Sequence, residues 1–322
     1  MPSKKDLPLL FELDRNYRNP YSKIARKIRM SQQLVNYKVK AMVENGSIMG
    51  NYPLIDYSRL GYLNFHVYFK VNYVSRERFA ELVGDLKKHE SIISIMEADG
   101  RHDLMTVFAA KNPSAFNKML REVISSNPKQ LKKCMVLTSV VEHHFPKNYL
   151  VNRMKINDVV TGGDREQAEI DDTDKKIMKA LVENRKNVVE ISQASGVSPQ
   201  TVISHLKQLE KKEVIKGYRM ILDMKKLGFI ENKILIKFHT ISVDRENQLS
   251  DFCKAHQNIT EFVKTFGEWD MEITVETKTK EEFRNIFIAL REKFSDVIAD
   301  FDNFTVVRTY KKQMMPEEFL SS

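Results

Sequence analysis

Apolar residues recur at helical spacing in three consecutive stretches near the start of the chain. The stretches cover residues 7–17, 21–30 and 31–44, and Pro20 separates the first two because it disfavours helical geometry in the residue before it. Ser31 is suited to cap the third helix. The stretch from Ile48 to Tyr57 predicts a short β-hairpin. Three helices, a tight turn between the second and third, and a hairpin predict a winged helix-turn-helix.

After Gly61 the apolar pattern changes from helical spacing to alternation, which is typical of strands. Strands are predicted at 62–73, 92–97, 104–110 and 134–144, with amphipathic helices at 76–89 and 113–125. The order βαββαβ predicts a ferredoxin-like unit, an antiparallel sheet with both helices on one face.

The whole pattern then repeats at a constant offset of 167 residues, which separates Ser31 from Ser198 and Gly61 from Gly228. We therefore predict an α+β protein built as a tandem repeat of a winged helix-turn-helix followed by a ferredoxin-like βαββαβ domain. The predicted segments are winged helix-turn-helix domains at 1–60 and 170–227, ferredoxin-like domains at 61–149 and 228–322, and a linker at 150–169 that is flexible from Asn157 to Glu166.

Positive charge is concentrated in the predicted winged domains, and the chain carries a formal net charge of +9. Residues 1–60 contain 11 basic and 5 acidic side chains and residues 170–227 contain 12 and 8, whereas residues 228–322 contain 13 and 17. Lys and Arg supply sequence-independent affinity for nucleic-acid phosphates. The asymmetry therefore favours double-stranded DNA as a partner, although a charged solvated surface would give the same counts.

No apolar run approaches the roughly 20 residues that a membrane span needs, and the N-terminus lacks the apolar core of a signal peptide. Cys134 and Cys253 do not match in the repeat, so we expect two buried free thiols rather than a disulfide framework. His143 and His144 are adjacent on a strand and point to opposite faces, a poor metal pair. We expect a cytoplasmic protein that makes no membrane contact, and no metal or cofactor is indicated.

The arrangement resembles the Lrp/AsnC family of transcription regulators, in which a winged helix-turn-helix precedes a βαββαβ domain of the RAM type. The resemblance rests on the paired helices at 22–48 and 189–215 and on the Gly-x-x-Asp sequences at 100–103 and 267–270. Family members usually contain one such unit and dimerise. Two units in one chain imply an intrachain pseudo-dimer of archaeal type that can associate further with its own kind. The family commonly has Arg where this sequence has Lys38 and His205.

The candidate DNA contacts lie on the N-terminal turns of the third helix of each winged domain, where Gln and Asn can bond adenine and Lys can bond guanine or phosphate. They are Ser31, Gln32, Gln33, Asn36, Tyr37, Lys38 and Lys40 with Arg26 nearby, and Ser198, Gln200, Thr201, Ser204, His205 and Lys207. These side chains are otherwise the polar face of an amphipathic helix. The copies agree at Gln33 and Gln200 but differ at Asn36 and Ile203, so we hypothesise an asymmetric operator.

The resemblance also implies a small-molecule effector, often an amino acid, bound where the βαββαβ domains meet. The residues to which it assigns this role are Gly100, Arg101, Asp103, Gly267, Trp269 and Asp270. The alternative is a pair of tight turns that need Gly and an Asp that bonds its own backbone.

Two other classes of function stay open. Siroheme decarboxylases resemble the same two-domain unit, and the His and Arg side chains that such an active site needs would be His102 with Arg101, or His143. A module that kept the fold but binds only protein partners would have a neutral or acidic third helix, which neither copy has. We predict a protein that is not an enzyme.

Overall fold

The computed structural model describes residues 6–151 and 158–321. The first half contains α1 (Leu7–Arg15), α2 (Tyr21–Ile28), α3 (Gln32–Glu44), β1 (Ile48–Ile55), β2 (Leu63–Val71), α4 (Arg76–Lys88), β3 (Ile92–Asp99), β4 (Leu104–Ala110), α5 (Pro113–Ser126), β5 (Leu131–His144) and β6 (Val159–Gly162). The second half contains α6 (Asp172–Val182), α7 (Val188–Ser195), α8 (Pro199–Lys211), β7 (Ile215–Leu222), β8 (Ile230–Phe238), α9 (Val243–Ala255), β9 (Ile259–Gly267), β10 (Met271–Thr277), α10 (Lys280–Lys293), β11 (Ile298–Lys312) and α11 (Glu317–Ser321). Short 3-10 helices span Tyr57–Leu60 and Asn148–Leu150. No helix within the described ranges is long and apolar enough to cross a membrane.

Each winged unit consists of three helices and one long strand: α1–α3 with β1, and α6–α8 with β7. The predicted hairpin over 48–57 is wrong. β1 is a single strand that pairs antiparallel with β7 of the other copy, from Ile48 opposite Leu222 to Ile55 opposite Ile215. We call this two-stranded sheet the ribbon. Both copies supply one strand because each needs a hydrogen-bonding partner, and the symmetry-related strand provides it.

The two βαββαβ units form as predicted, and their sheets join. Strand order is β5-β2-β4-β3 in the first unit and β11-β8-β10-β9 in the second. Antiparallel pairing of β3 with β11 and of β5 with β9 closes these eight strands into a ring. One face of each sheet packs on its own two helices, and the other face points into the ring. In β2, Phe65, Val67 and Phe69 belong to the core under α4 and α5, whereas Tyr68 belongs to the central core.

The described part of the predicted linker forms a strand and makes defined hydrogen bonds. Asn157 lies outside the described residues, but Val159–Gly162 forms β6, which pairs with the end of β5. The backbone N–H of Gly162 donates to the Asp56 carboxylate (2.9 Å), and Arg59 donates to the carbonyl of Glu166 (3.0 Å). The expected flexibility of this part is therefore wrong, because its backbone groups find fixed partners. The expectation of two buried thiols is wrong for Cys134, which is exposed, whereas Cys253 is buried.

Candidate nucleic-acid interface and the sites between the domains

The third helix of the first winged unit, α3, presents a polar, exposed N-terminal half. Ser31 caps it by accepting a hydrogen bond from the N–H of Leu34 (3.2 Å). Val35 and Val39 are buried in the core, which turns the intervening side chains outward. The exposed set is Gln32, Gln33, Asn36, Tyr37 and Lys40. A shallow surface cleft is lined by Tyr21 of α2 and by Gln32, Gln33 and Asn36 of α3. The contribution of Tyr21 was not predicted from the sequence.

The equivalent helix of the second unit, α8, has the same cap but a different surface. The Ser198 hydroxyl accepts from the N–H of Thr201 (3.1 Å) and contacts the Thr201 hydroxyl (2.8 Å), which leaves Thr201 half-buried. The exposed candidates are Gln200, Ser204 and Lys207. Ile203, at the position of Asn36, is also exposed. The outward surfaces of the two helices therefore carry different side chains: α3 also exposes Leu34, whereas α8 exposes Ile203.

Lys38 and His205, which occupy equivalent positions, do not lie on the exposed faces. Lys38 pairs with Asp6 at the start of α1 (2.5 Å), and its side chain is 22% exposed. His205 Nδ1 lies 2.8 Å from the carboxylate of Asp174 in α6, and its side chain is 18% exposed. Each residue thus ties the third helix to the first helix of its own unit, and its DNA contact stays a prediction.

The two units differ most in the charge of the second helix. The first unit carries Lys23, Arg26, Lys27 and Arg29 on α2 and in the turn after it. The same stretch of the second unit, α7 and its turn, contains Glu190 and no Lys or Arg. Arg26 and Arg29 are exposed, whereas Lys27 is half-exposed and pairs with the buried Glu12 (2.5 Å). Positive charge beside the third helix is therefore concentrated in the first unit.

The winged units contact each other through more than the ribbon. Arg219 of β7 pairs with Asp14 of α1 (2.8 Å), and both side chains are nearly inaccessible. Arg18 stacks on the Tyr218 ring (4.9 Å to the centroid) and donates to its hydroxyl (3.0 Å). The N–H of Asn51 donates to the side chain of Asn184 (2.9 Å). These contacts hold α3 and α8 in one arrangement.

The two Gly-x-x-Asp turns have the same internal hydrogen bonds. Asp103 accepts from the N–H of Val71 (2.7 Å) and pairs with Lys70 (2.8 Å). Asp270 accepts from the N–H of Phe238 (2.9 Å) and pairs with Lys237 (2.9 Å). Both carboxylates therefore bond the adjacent strand of their own sheet, which agrees with the tight-turn interpretation.

The glycines of these turns lie where the two sheets join. A Cβ on Gly100 (φ +158°) would lie 2.8 Å from Phe304 Cβ, and one on Gly267 (φ +149°) would lie 2.8 Å from the carbonyl oxygen of Val136. Arg101 and Glu268 occupy equivalent positions in the two turns and approach each other at 3.7 Å. A symmetric dimer would place like charges here, so this pair favours the intrachain partner.

The His and Arg side chains considered for an enzyme do not converge. His102 is buried beside the Tyr68 ring (5.6 Å between centroids), and burial lowers its pKa. Arg101 is largely exposed, at 60% of its side-chain surface. His143 contacts Asp158 (2.9 Å) and His144 contacts Thr161 (3.0 Å). Both histidines lie at the end of the β5–β9 pairing that is opposite to Gly267. Trp269 is buried in the central core.

A cluster of charged side chains inside the ring was not anticipated from the sequence. Lys233 forms ion pairs with Glu272 and with Glu261 (3.4 Å). His66 Nδ1 lies 3.1 Å from Glu272, and Tyr68 donates to the same carboxylate. Burial opposes the charged form, but Lys233 and His66 lower the pKa of Glu272 to about 2. The ring interior thus contains compensated charges rather than an apolar core alone.

Comparison with known proteins places these features in a family. Residues 3–49 and 170–216 match the family model for a winged helix-turn-helix DNA-binding domain. The HTH-type transcriptional regulator FL11 of Pyrococcus horikoshii is 30% identical over 118 residues, which are 36% of this chain and 76% of FL11. The regulator Ptr1 of Methanocaldococcus jannaschii is 27% identical over 125 residues, which are 38% of this chain and 82% of Ptr1.

A solved structure shares the tandem architecture. The crystal structure of the siroheme decarboxylase NirDL superimposes with a TM-score of 0.61, covering 99% of this chain and 96% of that one, at 13% sequence identity. Identity at this level shows a common fold and carries no information about chemistry. Both winged units match the DNA-binding family model, FL11 is similar over most of its length, and the βαββαβ unit is repeated. The chain is therefore a tandem member of the Lrp/AsnC family of transcription regulators.

Proposed function

We propose that this chain is a sequence-specific double-stranded DNA-binding transcription regulator whose two winged units bind one operator as a fixed pair. The observation that carries the proposal is the pair of exposed polar helix faces, α3 and α8, held together by the ribbon and by the buried Arg219–Asp14 ion pair. A fixed pair of helices can enter two successive major grooves at a set spacing.

Base contacts are proposed for side chains of the two third helices that are all exposed except the half-buried Thr201, and phosphate contacts are proposed for Arg26. The base set is Gln32, Gln33, Asn36, Tyr37 and Lys40 in α3, with Gln200, Thr201, Ser204 and Lys207 in α8. Ser31 and Ser198 cap these helices, so their effect on binding would come through helix geometry. The proposed domain boundaries are 1–60, 61–149, 170–227 and 228–322, with a linker at 150–169.

The operator is proposed to be asymmetric, with the first winged unit contributing most of the phosphate contacts. Ile203 can contact a thymine methyl group, where Asn36 can bond adenine. Selection of bound duplexes from a random pool should yield two unequal half-sites. A perfect palindrome would contradict this part of the proposal.

Matched variants test the interface. Lys40→Ala is expected to weaken binding and to lower the slope of log affinity against log salt by about 0.9 if the ammonium contacts a phosphate. Lys118→Ala, on the exposed side of α5, is the control for a lost surface charge. Gln33→Ala should relax base preference in one half-site and Gln200→Ala in the other. Equal affinities, base preferences and salt slopes for Lys40→Ala and Lys118→Ala would remove Lys40 from the interface.

The regulator is further proposed to act in the cytoplasm, without catalysing a reaction, and to respond to a small-molecule effector such as an amino acid. The joint formed by the turns at Gly100 and Gly267 is one place where such a molecule would alter the relation between the two βαββαβ units. An absorption spectrum after addition of a tetrapyrrole tests the enzyme alternative. Saturable spectral change followed by loss of a carboxyl group would support a decarboxylase and contradict the non-enzymatic proposal.

A further inference from the structure

The cleft beside α3 has a chemically different counterpart in the second winged unit. The residues that line the cleft are Tyr21, Gln32, Gln33 and Asn36. The offset of 167 residues places Val188, Pro199, Gln200 and Ile203 at the equivalent positions. Three of these four positions are therefore apolar in the second unit, and only the glutamine is retained.

The apolar side chains at these positions reach the surface of the second unit. Ile203 is 37% exposed, and Val189, which follows Val188 at the start of α7, is 59% exposed. Pro199 is exposed one turn before Ile203 on α8, so these two residues share one face of that helix. We call Val188, Val189, Pro199 and Ile203 the apolar strip. It takes the place that the polar cleft has in the first unit.

The exposed Leu34 of the first unit does not correspond to the apolar strip. Leu34 lies one turn before Lys38, which pairs with Asp6 at the start of α1, so Leu34 is on the side of α3 that faces α1. Asn36, in contrast, lines the cleft beside α2. The equivalent of Leu34 in the second unit is the half-buried Thr201. The two units therefore differ on the flank of the third helix that faces the second helix.

The helix that carries half of the apolar strip, α7, offers no cation for DNA phosphate. The sequence from Asn187 to Val197 contains no Lys or Arg. Its one charged residue, Glu190, accepts hydrogen bonds from the N–H of Lys186 (2.8 Å) and from the Asn187 side chain (2.7 Å). Affinity on this flank therefore depends on apolar contact, because the phosphate contacts open to α2 are missing.

The complement of an exposed aliphatic strip on a DNA-reading helix is an apolar group on a base edge. In the major groove that group is the methyl on C5 of thymine. The modified base 5-methylcytosine carries the same methyl at the same ring position. An aliphatic side chain contacts this methyl and forms no hydrogen bond with the oxygen or amino group that distinguishes the two bases. We propose that the second winged unit reads the 5-methyl groups of pyrimidines, with Ile203 as the specificity-determining contact.

This inference rests on the proposed function of the chain as a DNA-binding regulator and assigns different chemistry to its two half-sites. The first half-site is read by hydrogen bonds from Gln and Asn side chains, and the second by methyl contacts. Methylation of a cytosine in the second half-site would then strengthen binding. Burial of one methyl group corresponds to about a fourfold change in affinity.

Base substitution tests the inference on the unmodified full chain. The operator is selected from a random pool, and Gln33→Ala and Gln200→Ala assign its two half-sites. Each pyrimidine of the second half-site is then made thymine, uracil, 5-methylcytosine or cytosine in turn. At the contacted position, thymine over uracil and 5-methylcytosine over cytosine are each expected to bind about fourfold more tightly. At the equivalent position of the first half-site both ratios should be near one, which controls for changes in DNA stiffness.

The contradicting results of this experiment are distinct. Specific binding with a thymine-to-uracil ratio near one throughout the second half-site would overturn this inference alone. A ratio above one for thymine over uracil but not for 5-methylcytosine over cytosine would overturn the assignment to the methyl group. Failure to select any bound sequence would overturn the regulator function and this inference together.

A matched pair of variants locates the methyl contact. Ile203→Ala is expected to bring both ratios in the second half-site close to one. Ile288→Ala, on α10, removes an isoleucine that is equally exposed (38%) and should leave both ratios unchanged. Ratios that persist in Ile203→Ala would place the methyl effect elsewhere and overturn the proposal. Circular dichroism checks that each variant folds, and the base substitutions on the unmodified protein decide the matter if Ile203→Ala does not.

Discussion

Replacing Arg219 with Met is expected to destabilise the contact between the two winged units by about 3 to 5 kcal/mol. The Arg219 guanidinium lies 2.8 Å from the Asp14 carboxylate, and their side chains are only 11% and 3% exposed. It also donates to the carbonyl of Phe145 (3.2 Å). Met would fill much of the same volume but would leave a buried carboxylate without a counter-ion, and this uncompensated charge accounts for most of the expected loss.

The double variant Arg219→Met with Asp14→Leu separates this effect from packing. It removes both charges, so its stability should return to within about 1 to 2 kcal/mol of the unmodified protein, because apolar replacement of a buried ion pair is often neutral. Arg78→Met is the matched control: its pair with Glu81 (2.9 Å) lies on the surface, with 64% and 57% of the side chains exposed. Surface pairs contribute about 0 to 1 kcal/mol.

Urea unfolding followed by circular dichroism and by Trp269 fluorescence would measure these differences. A chain with several domains need not unfold in one step, so the transition midpoints from the two probes have to be compared before a free energy is assigned. A loss below about 1 kcal/mol for Arg219→Met, or a double variant as unstable as the sum of the single ones, would refute the reasoning that the charge is buried and uncompensated.

Three further predictions follow from contacts of single residues. Lys38→Met should lower stability, because the ion pair between Lys38 and Asp6 is lost, while DNA affinity per folded molecule changes little. Lys40→Met should weaken DNA binding and change stability little. Comparing thermal unfolding with DNA titration checks this, and a stable Lys38→Met that fails to bind would return Lys38 to the interface. Gly267→Ala should weaken the pairing of β5 with β9 where the two sheets join, because the new Cβ would lie 2.8 Å from the Val136 carbonyl oxygen. The control Gly84→Ala, whose Cβ would have no atom within 4 Å, should stabilise helix α4 by about 0.5 to 1 kcal/mol. Equal Tm values for the two variants would contradict the close approach at Gly267. The pKa of Glu272 is lowered from 4.5 to about 2 in the folded chain, so the contribution of its charge to stability is complete above pH 4.5 and disappears as the pH falls towards 2. At about 1.4 kcal/mol per pH unit, the stability difference between the unmodified protein and Glu272→Gln should shrink by about 3 kcal/mol over that range. A difference in urea unfolding that does not change with pH would count against this prediction.

Local signals in the sequence were sufficient for the element order and for the repeat. Ser31 and Ser198 cap their helices as predicted, because an N-cap depends only on residues within one turn. The βαββαβ order followed from the change between helical spacing and alternation, since each period records which face of an element is buried. The exposed half of α3 followed in the same way, because Val35 and Val39 define its buried face.

What these elements pack against depends on contacts between residues that are remote in the chain. The ribbon pairs Ile48 with Leu222, so its partner strand is remote in sequence, and a local pattern cannot distinguish that pairing from a hairpin. The alternation in β10 places Glu272, Thr274 and Glu276 on one face, which normally indicates a face in contact with water. Closure of the ring buries that face, so the same side chains become an interior network that includes Lys233. Local patterns along the chain were therefore enough for the two copies and for their helices and strands. The inward turn of Lys38 and His205 depends on how the helices of each winged unit pack together. The burial of charge inside the ring depends on which surfaces the two copies bury against each other.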